Sequence, residues 1–283
     1  MIRAWIGRAD LIGDCVMALP MLYYIDQKYP KSYKVWPILR KCSQAAPLFL
    51  NHPLIDKIHI SDHDEGFGEN DKKMFHSCSL RMDVRPQHPM GEYWHNDRSM
   101  VEETWIMGGL PLKGYHELPE EEKYPKLYKW FNTDNLKKTI AVHCFAGYGR
   151  DNKRSPSLKW WEDVLSILTK DYNIIRLGHP SEPQININFC SGYSDIRSKS
   201  FFEQVQTALS CSLYIGTDSG FSLAVGAYSH PQISLITNWN VGHHTNFLCL
   251  QPLNKNNISL FSPISCDNIK QEEVLNKVKL FNV

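Results

Sequence analysis

Apolar and polar positions follow one another in blocks whose period changes in a regular order. Residues 2–6 are a short apolar run ending at Gly7, which reads as a strand and a turn. A longer apolar run from residue 15 to 29 reads as a buried helix, with Pro20 kinking it or lying near its first turn. Runs at 33–39 and 57–60 read as strands, with a short helix at 45–50 between them. Residues 61–89 have weak periodicity and yield no assignment, whereas 100–107 read as a helix that stops at Gly108-Gly109.

Residues 116–126, HELPEEEKYPK, hold two prolines and four glutamates and read as an exposed linker. Beyond them the alternation restarts. Strands are expected at 139–144, 173–177, 212–215 and 232–236, and helices at 157–170, 201–209, 221–228 and 271–281. Repeated strand–helix alternation calls for parallel sheets with helices on both faces. Two such blocks split by a linker give an α/β chain of two Rossmann-like domains facing a cleft, 1–125 and 126–283. The terminal helix, within 269–281, is a segment able to fold back on the first domain.

Composition narrows the partners. With 283 residues, 42% apolar and 22% charged, the chain has an ordinary globular balance. Lys and Arg total 31 against 30 for Asp and Glu, so no general nucleic-acid binding is expected, although a local phosphate patch is compatible. The eight cysteines include no C-x-x-C pair, which favours reduced, buried thiols over a zinc site or disulfides. The apolar core of the first helix is shorter than the roughly 20 residues a bilayer span needs. Asp10 and Asp14 precede it and Asp26-Gln27-Lys28 follows, so a signal peptide is not expected either. A cytoplasmic protein, with at most peripheral contact at the inner face of a membrane, is the expectation.

Three segments could carry chemistry. Ser212 to Phe221 is a strand, then Gly216-Thr217-Asp218-Ser219-Gly220, then a helix. Such a turn lies at the carboxyl end of a parallel strand, where open α/β sheets hold ligands, and the free N–H groups of the helix attract phosphate. Capping by Asp218 or Ser219 explains the same residues without a ligand. The second segment, Gly7-Arg8-Ala9-Asp10-Leu11-Ile12-Gly13-Asp14, also joins a strand to a helix. Asp14 is a general base for a hydroxyl on one reading and an N-cap on the other. The third, Arg150 to Trp161, places Arg150, Lys153 and Arg154 between a strand and a helix, where cations neutralise a leaving diphosphate or simply face water. Ser155 or Ser157 caps that helix, with Pro156 in its first turn.

Together these segments resemble glycosyltransferases of the ADP-heptose:lipopolysaccharide heptosyltransferase type. Gly13-Asp14-Cys15-Val16-Met17-Ala18-Leu19-Pro20 is similar to that family's early Gly-Asp and apolar helix with Pro. Gly216 to Gly220, continuing through Ala224, Ala227, Pro231 and Leu235, is similar to its Gly-x-Asp-Thr/Ser-Gly region. Lys153-Arg154-Ser155-Pro156 matches its Lys-x-Trp-Pro stretch at Lys and Pro, and Ile174 to Glu182 resembles the segment whose Glu meets the nucleotide ribose. The family's His shortly after the turn is replaced here by Ser222 and Leu223, and residues 61–100 match poorly.

The resemblance implies a GT-B fold and an inverting, metal-independent transfer from a nucleoside-diphosphate sugar, ADP-linked as the first expectation. The acceptor would be a glycan or glycolipid hydroxyl, with no cofactor beyond the donor. Asp14 would be the base, with Gly13, Asp10 and Arg8 on the acceptor side. Lys153, Arg154, Arg150 and Thr217, Asp218, Ser219 and Gly220 would hold the diphosphate. Gly178, His179 and Glu182 would hold the nucleoside. A nucleotide-sugar epimerase or hydrolase and a non-catalytic nucleotide- or glycan-binding module are the alternatives. The histidines show no His-Glu-x-x-His pattern, so a metal is not expected.

Overall fold

A computed structural model describes residues 1–7, 11–82, 99–146, 152–187, 192–237 and 256–281. The chain divides into two compact units, Met1–Trp130 and Phe131–Val283.

In the first unit, β1 (Arg3–Ile6), β2 (Tyr33–Ile38), β3 (Lys57–Ile60) and β4 (Leu80–Met82) form a parallel sheet in the order β3-β2-β1-β4. The single kinked helix expected at 15–29 is two helices, α1 (Ile12–Met17) and α2 (Pro20–Lys28). Pro20 has no N–H to continue α1, so it opens α2 instead, at a position where that N–H would have no partner anyway. The unassigned stretch contains α3 (Glu69–His76) and β4. Its weak pattern has a local cause: α3 contributes only Met74 and Phe75 to the cluster of Trp5, Val35 and Cys78. The element is fixed as much by a buried carboxylate. Asp71 accepts from Gly68 N at 2.9 Å and from Ser61 Oγ at 2.5 Å, and lies 2.7 Å from His59 Nε2. Two further helices follow, α4 (Met100–Met107) and α5 (Leu112–His116).

The segment read as an exposed linker instead lies along the first unit. Within it Leu118 is buried and Gln27 Nε2 donates to Glu122; just beyond it Leu127 is buried and Tyr128 shares a 2.7 Å hydroxyl contact with Tyr23. Glutamates and prolines hid these apolar anchors, because they occur singly and not in a periodic run.

The second unit carries β5 (Leu136–His143), β6 (Asn173–Leu177), β7 (Tyr193–Asp195), β8 (Cys211–Thr217), β9 (Gln232–Thr237) and β10 (Asn257–Ser262). All neighbours are parallel, in the order β10-β9-β8-β5-β6-β7. The chain builds outward from β5 in one direction and, from β8, in the other. The two strands therefore meet at a topological switch point, where crossovers diverge and leave room above the carboxyl ends. One face of the sheet is covered by α6 (Leu158–Leu168) and α9 (Gln271–Leu280), through Trp161, Val164, Leu165, Val274 and Val278. Trp160 Nε1 donates to Ile269 O at 2.9 Å, so the buried face of α9 belongs to this unit's core. Helices α7 (Phe201–Ser210) and α8 (Gly220–Ala227) contact β8, and α7 and α8 each other. The edge strands β7 and β10, sequences YSD and NISLFS, were not recognisable from sequence, because an edge strand lacks the continuous apolar run of a strand buried on both faces.

Among the described residues no helix is long and apolar enough to cross a membrane, and all six described cysteines are buried thiols.

His52 provides a test of the first unit. Its Nδ1 accepts from Leu54 N at 3.2 Å, it lies among the rings of Tyr23 and Tyr128, and burial pushes its pKa down to about 4. The unfolded chain binds the proton near pH 6.5 and the folded chain only near 4. Stability is thus present above the unfolded value and lost as pH falls through this window, by about 2–3 kcal/mol. Urea midpoints measured across the window should show that loss in the wild type and a shallower one in His52→Asn. Equal slopes would contradict it.

Candidate functional site

The switch point brings together two strand ends. His143 closes β5 and is paired in register with Gly216 of β8. Gly216 has no room for a side chain, since a Cβ would collide with the Tyr214 ring and hydroxyl. Thr217 ends β8 wholly buried, and its Oγ1 has no hydrogen-bond partner among the described residues. Ser219 is the N-cap of α8, its Oγ accepting from Ser222 N at 3.4 Å. Only Ser219 and Gly220 of the turn are half-buried and not fully enclosed, so they, with the first amides of α8, form its reachable part. That end carries the positive pole of the helix.

The cations divide their work. A 3₁₀ turn, Asn152–Arg154, precedes α6. Arg154 Nη2 donates to Asp218 O at 3.0 Å and to Asp218 Oδ2 at 2.9 Å. This clamp neutralises a carboxylate that would otherwise repel an anion beside Ser219, and it fixes the turn. Arg154 and Asp218 are therefore joined to each other, where sequence grouped both as diphosphate ligands. Lys153, its neighbour, is exposed. Ser157 caps α6, while Ser155 Oγ accepts from Ala146 N at 2.7 Å, so Pro156 precedes the cap and does not enter the first turn. Arg150 lies outside the described residues, as do Arg8 and Asp10.

The loop after β6 is organised by a buried acid. Glu182 is 6% exposed, and its Oε1 accepts from His179 N at 2.7 Å. Its Oε2 is 3.5 Å from Nη2 of Arg176, itself wholly buried, which also donates to Pro183 O at 2.6 Å. Arg197 donates to the Glu182 carbonyl at 2.7 Å and pairs with Asp195. Burial opposes ionisation of Asp195, but its bonds to Arg197 prevail and lower its pKa. Gly178, at φ +135°, exchanges hydrogen bonds with Gln204, and any Cβ there would strike the Glu182 carboxylate. His179 is exposed and bonded to Ser181. Glu182 thus holds its own loop in shape with a carboxylate that is largely withdrawn from solvent.

His143, which the sequence offers only as one of the histidines weighed for a metal, stands at the Gly216–Gly220 turn. It is 4% exposed, with Nδ1 3.1 Å from Ser219 Oγ and Nε2 3.6 Å from Glu182 Oε1, and its ring packs on Phe221. An imidazole therefore reaches the turn from β5, whereas Ser222 and Leu223 stand shortly after Gly220. The available signal was a lone polar residue ending an apolar strand of a parallel sheet, the position that open α/β sheets reserve for ligands.

In the first unit, Gly7 takes φ +80° against the Trp36 ring and donates its N–H to Met82 O. The N-cap of α1 is Leu11, without a side-chain cap bond. Asp14 is half-buried in the first turn of α1, so the N-cap explanation of this carboxylate does not hold; Gly13 beside it is buried. Among the described residues no group of three or more His, Cys, Asp or Glu gathers as a metal site.

No protein-family model and no curated protein matches the sequence. Solved structures match along the whole chain. ADP-heptose LPS heptosyltransferase II of E. coli aligns with a TM-score of 0.71 and 14% identity, covering 99% of this chain and 98% of that one. A glycosyltransferase family 9 protein of Veillonella parvula gives 0.71 and 12%, over 99% and 97%. The E. coli heptosyltransferase WaaC, solved with ADP, gives 0.55 and 12%, over 99% and 100%. The chain thus shares their fold, GT-B, with two Rossmann-like units each built on a parallel sheet.

Gly178 and Gly66 form a matched pair for testing the loop. Gly66 has φ +72° and nothing within 4 Å of an added Cβ. Gly66→Ala should cost about 1 kcal/mol of strain. Gly178→Ala adds the clash with Glu182 and should cost roughly 2–4 kcal/mol. Denaturation midpoints that fell equally would remove Glu182 as the organiser of this loop.

Proposed function

We propose that the protein is a glycosyltransferase that takes a sugar from a nucleoside diphosphate and passes it to a hydroxyl of a glycan or glycolipid. The observation that carries this reading is the switch point of the second sheet. It offers a half-buried helix N-terminus at Ser219–Gly220, with a fixed carboxylate neutralised by Arg154 and a lysine on the adjoining turn. Backbone amides at a helix end and a cation suit a diphosphate, whose charge grows as it leaves. The shared fold with a heptosyltransferase solved with ADP supports the same ligand class. ADP is the first choice of nucleotide on that ground.

In this scheme the amides of α8 and Lys153 hold the diphosphate, and the loop from Gly178 to Glu182 sets the nucleoside. Asp14 accepts the proton of the acceptor hydroxyl. The acceptor oxygen forms its bond to the anomeric carbon as the bond to the terminal phosphate oxygen breaks, which inverts that carbon. The nucleoside diphosphate departs with the electron pair. Lys153 and the helix end supply the positive charge, so the scheme calls for no bound metal.

Three measurements test it. In a thermal-shift panel of ADP, UDP, GDP, CMP and their sugar conjugates, one ligand at a hundred times its dissociation constant should stabilise by about 2.7 kcal/mol. Asp14→Asn should lower transfer by about 10²–10⁴-fold and leave nucleotide affinity intact. Chelation by EDTA should leave transfer unchanged. A protein that binds no nucleoside diphosphate, or an Asp14→Asn variant with wild-type transfer, would overturn the corresponding assignment.

A further inference from the structure

The imidazole of His143 has no part in the scheme above, yet its two nitrogens face partners of different kinds. Nε2 lies 3.6 Å from Glu182 Oε1, and Nδ1 lies 3.1 Å from Ser219 Oγ. Glu182 is fixed from behind by Arg176 and by the His179 amide, so its carboxyl group stays beside Nε2.

Hydrogen-bond accounting then constrains the Ser219 proton. Ser219 Oγ already accepts Ser222 N–H at 3.4 Å. Ser222 Oγ donates to Thr217 O at 2.5 Å, so in the 3.2 Å contact between Tyr214 and Ser222 the tyrosine is the donor. Tyr214 has no second proton to give Ser219. A neutral imidazole carries one N–H; beside a carboxylate that proton belongs on Nε2, and Nδ1 accepts from the Ser219 hydroxyl. In this state Ser219 has no proton to offer a ligand. A protonated imidazole faces the Glu182 carboxylate with Nε2, at ion-pair distance, and donates from Nδ1 to Ser219 Oγ. The Ser219 O–H is then released toward the half-buried end of α8, and a positive charge stands beneath it.

We propose that His143 is a positioning residue that takes up a proton when a phosphate group binds at Ser219, linking nucleotide affinity to pH through the chain Glu182–His143–Ser219. The inference rests on the donor-site reading and adds to it a residue and a proton. The groups around the ring are accounted for as follows. Glu182 and Arg176 face it from β6 and its loop, with the Asp195–Arg197 pair behind them. The Arg154–Asp218 pair stands next to Ser219. Tyr214 and Cys144 are held neutral, because burial pushes both well up. Among these residue types only imidazole ordinarily changes charge near neutrality. The other imidazole of the region, His179, is exposed and bonded to Ser181.

The test is calorimetric titration with ADP at pH 7 in two buffers of different ionisation enthalpy, repeated across pH. The wild type should take up a proton on binding, and its Kd should weaken by up to about tenfold per pH unit above neutrality. His143→Asn keeps an amide where Nδ1 stood. It should retain the melting temperature of the unligated protein but lose the His143-dependent uptake, leaving only the titration of ADP itself. Ser219→Ala, which keeps the imidazole but removes the hydroxyl it acts through, should lose the same uptake and serves if the Asn variant fails to fold. Uptake in either variant equal to that of the wild type would overturn the proposal and leave the donor site standing. A wild type that binds neither ADP nor inorganic pyrophosphate would overturn the donor-site reading, and this inference with it.

Discussion

The second unit of this molecule is organised around a carboxylate that has been taken out of water. An ionised side chain in that position costs several kcal/mol unless charge and hydrogen bonds replace its hydration. Glu182 meets that demand with Arg176, the His179 amide and the neighbouring His143, and each partner then constrains something else. Arg176 is held inside the sheet, the His179 amide bends the loop after β6, and Gly178 must lack a side chain. His143 carries the influence across the switch point to the cap of α8. The residues that shape the two loops of the site are thus parts of one polar network, and changes in one loop should be felt in the other.

Much of this was legible in the chain. The central strands of the second unit announce themselves as continuous apolar runs because both their faces are covered. The Gly216–Gly220 turn is visible as a strand ending in residues that only a turn and a helix start would use. What could not be read was which polar atom meets which. Lys153 and Arg154 are adjacent cations, and nothing in their order says that the second is spent on Asp218. His143 follows an apolar run, as any buried histidine might have done, and its significance depends on the register that sets it beside Gly216.

The first unit shows the complementary failure. Its short helix α3 is held by Met74, Phe75 and the buried carboxylate of Asp71, and β4 by its ladder with β1; neither leaves a periodic trace. Pro20 was visible as a disturbance, but whether it bends one helix or begins another depends on local backbone geometry. Asp14 was ambiguous for a simpler reason, since a carboxylate near a helix start serves equally as cap or as base. The structure gives the cap position to Leu11 and places the acid in the first turn of α1.

The pairing of His143 with Gly216 has an entropic consequence. His143 stands on β5, and the turn that would meet a phosphate follows directly from β8, its neighbour in one hydrogen-bonded ladder. Their freedom is surrendered when the sheet forms, before any ligand arrives. Binding there would freeze few further rotors, and loss of that freedom is one of the main charges against association. A modest number of contacts can then hold a small anion, provided the sheet beneath them stays whole.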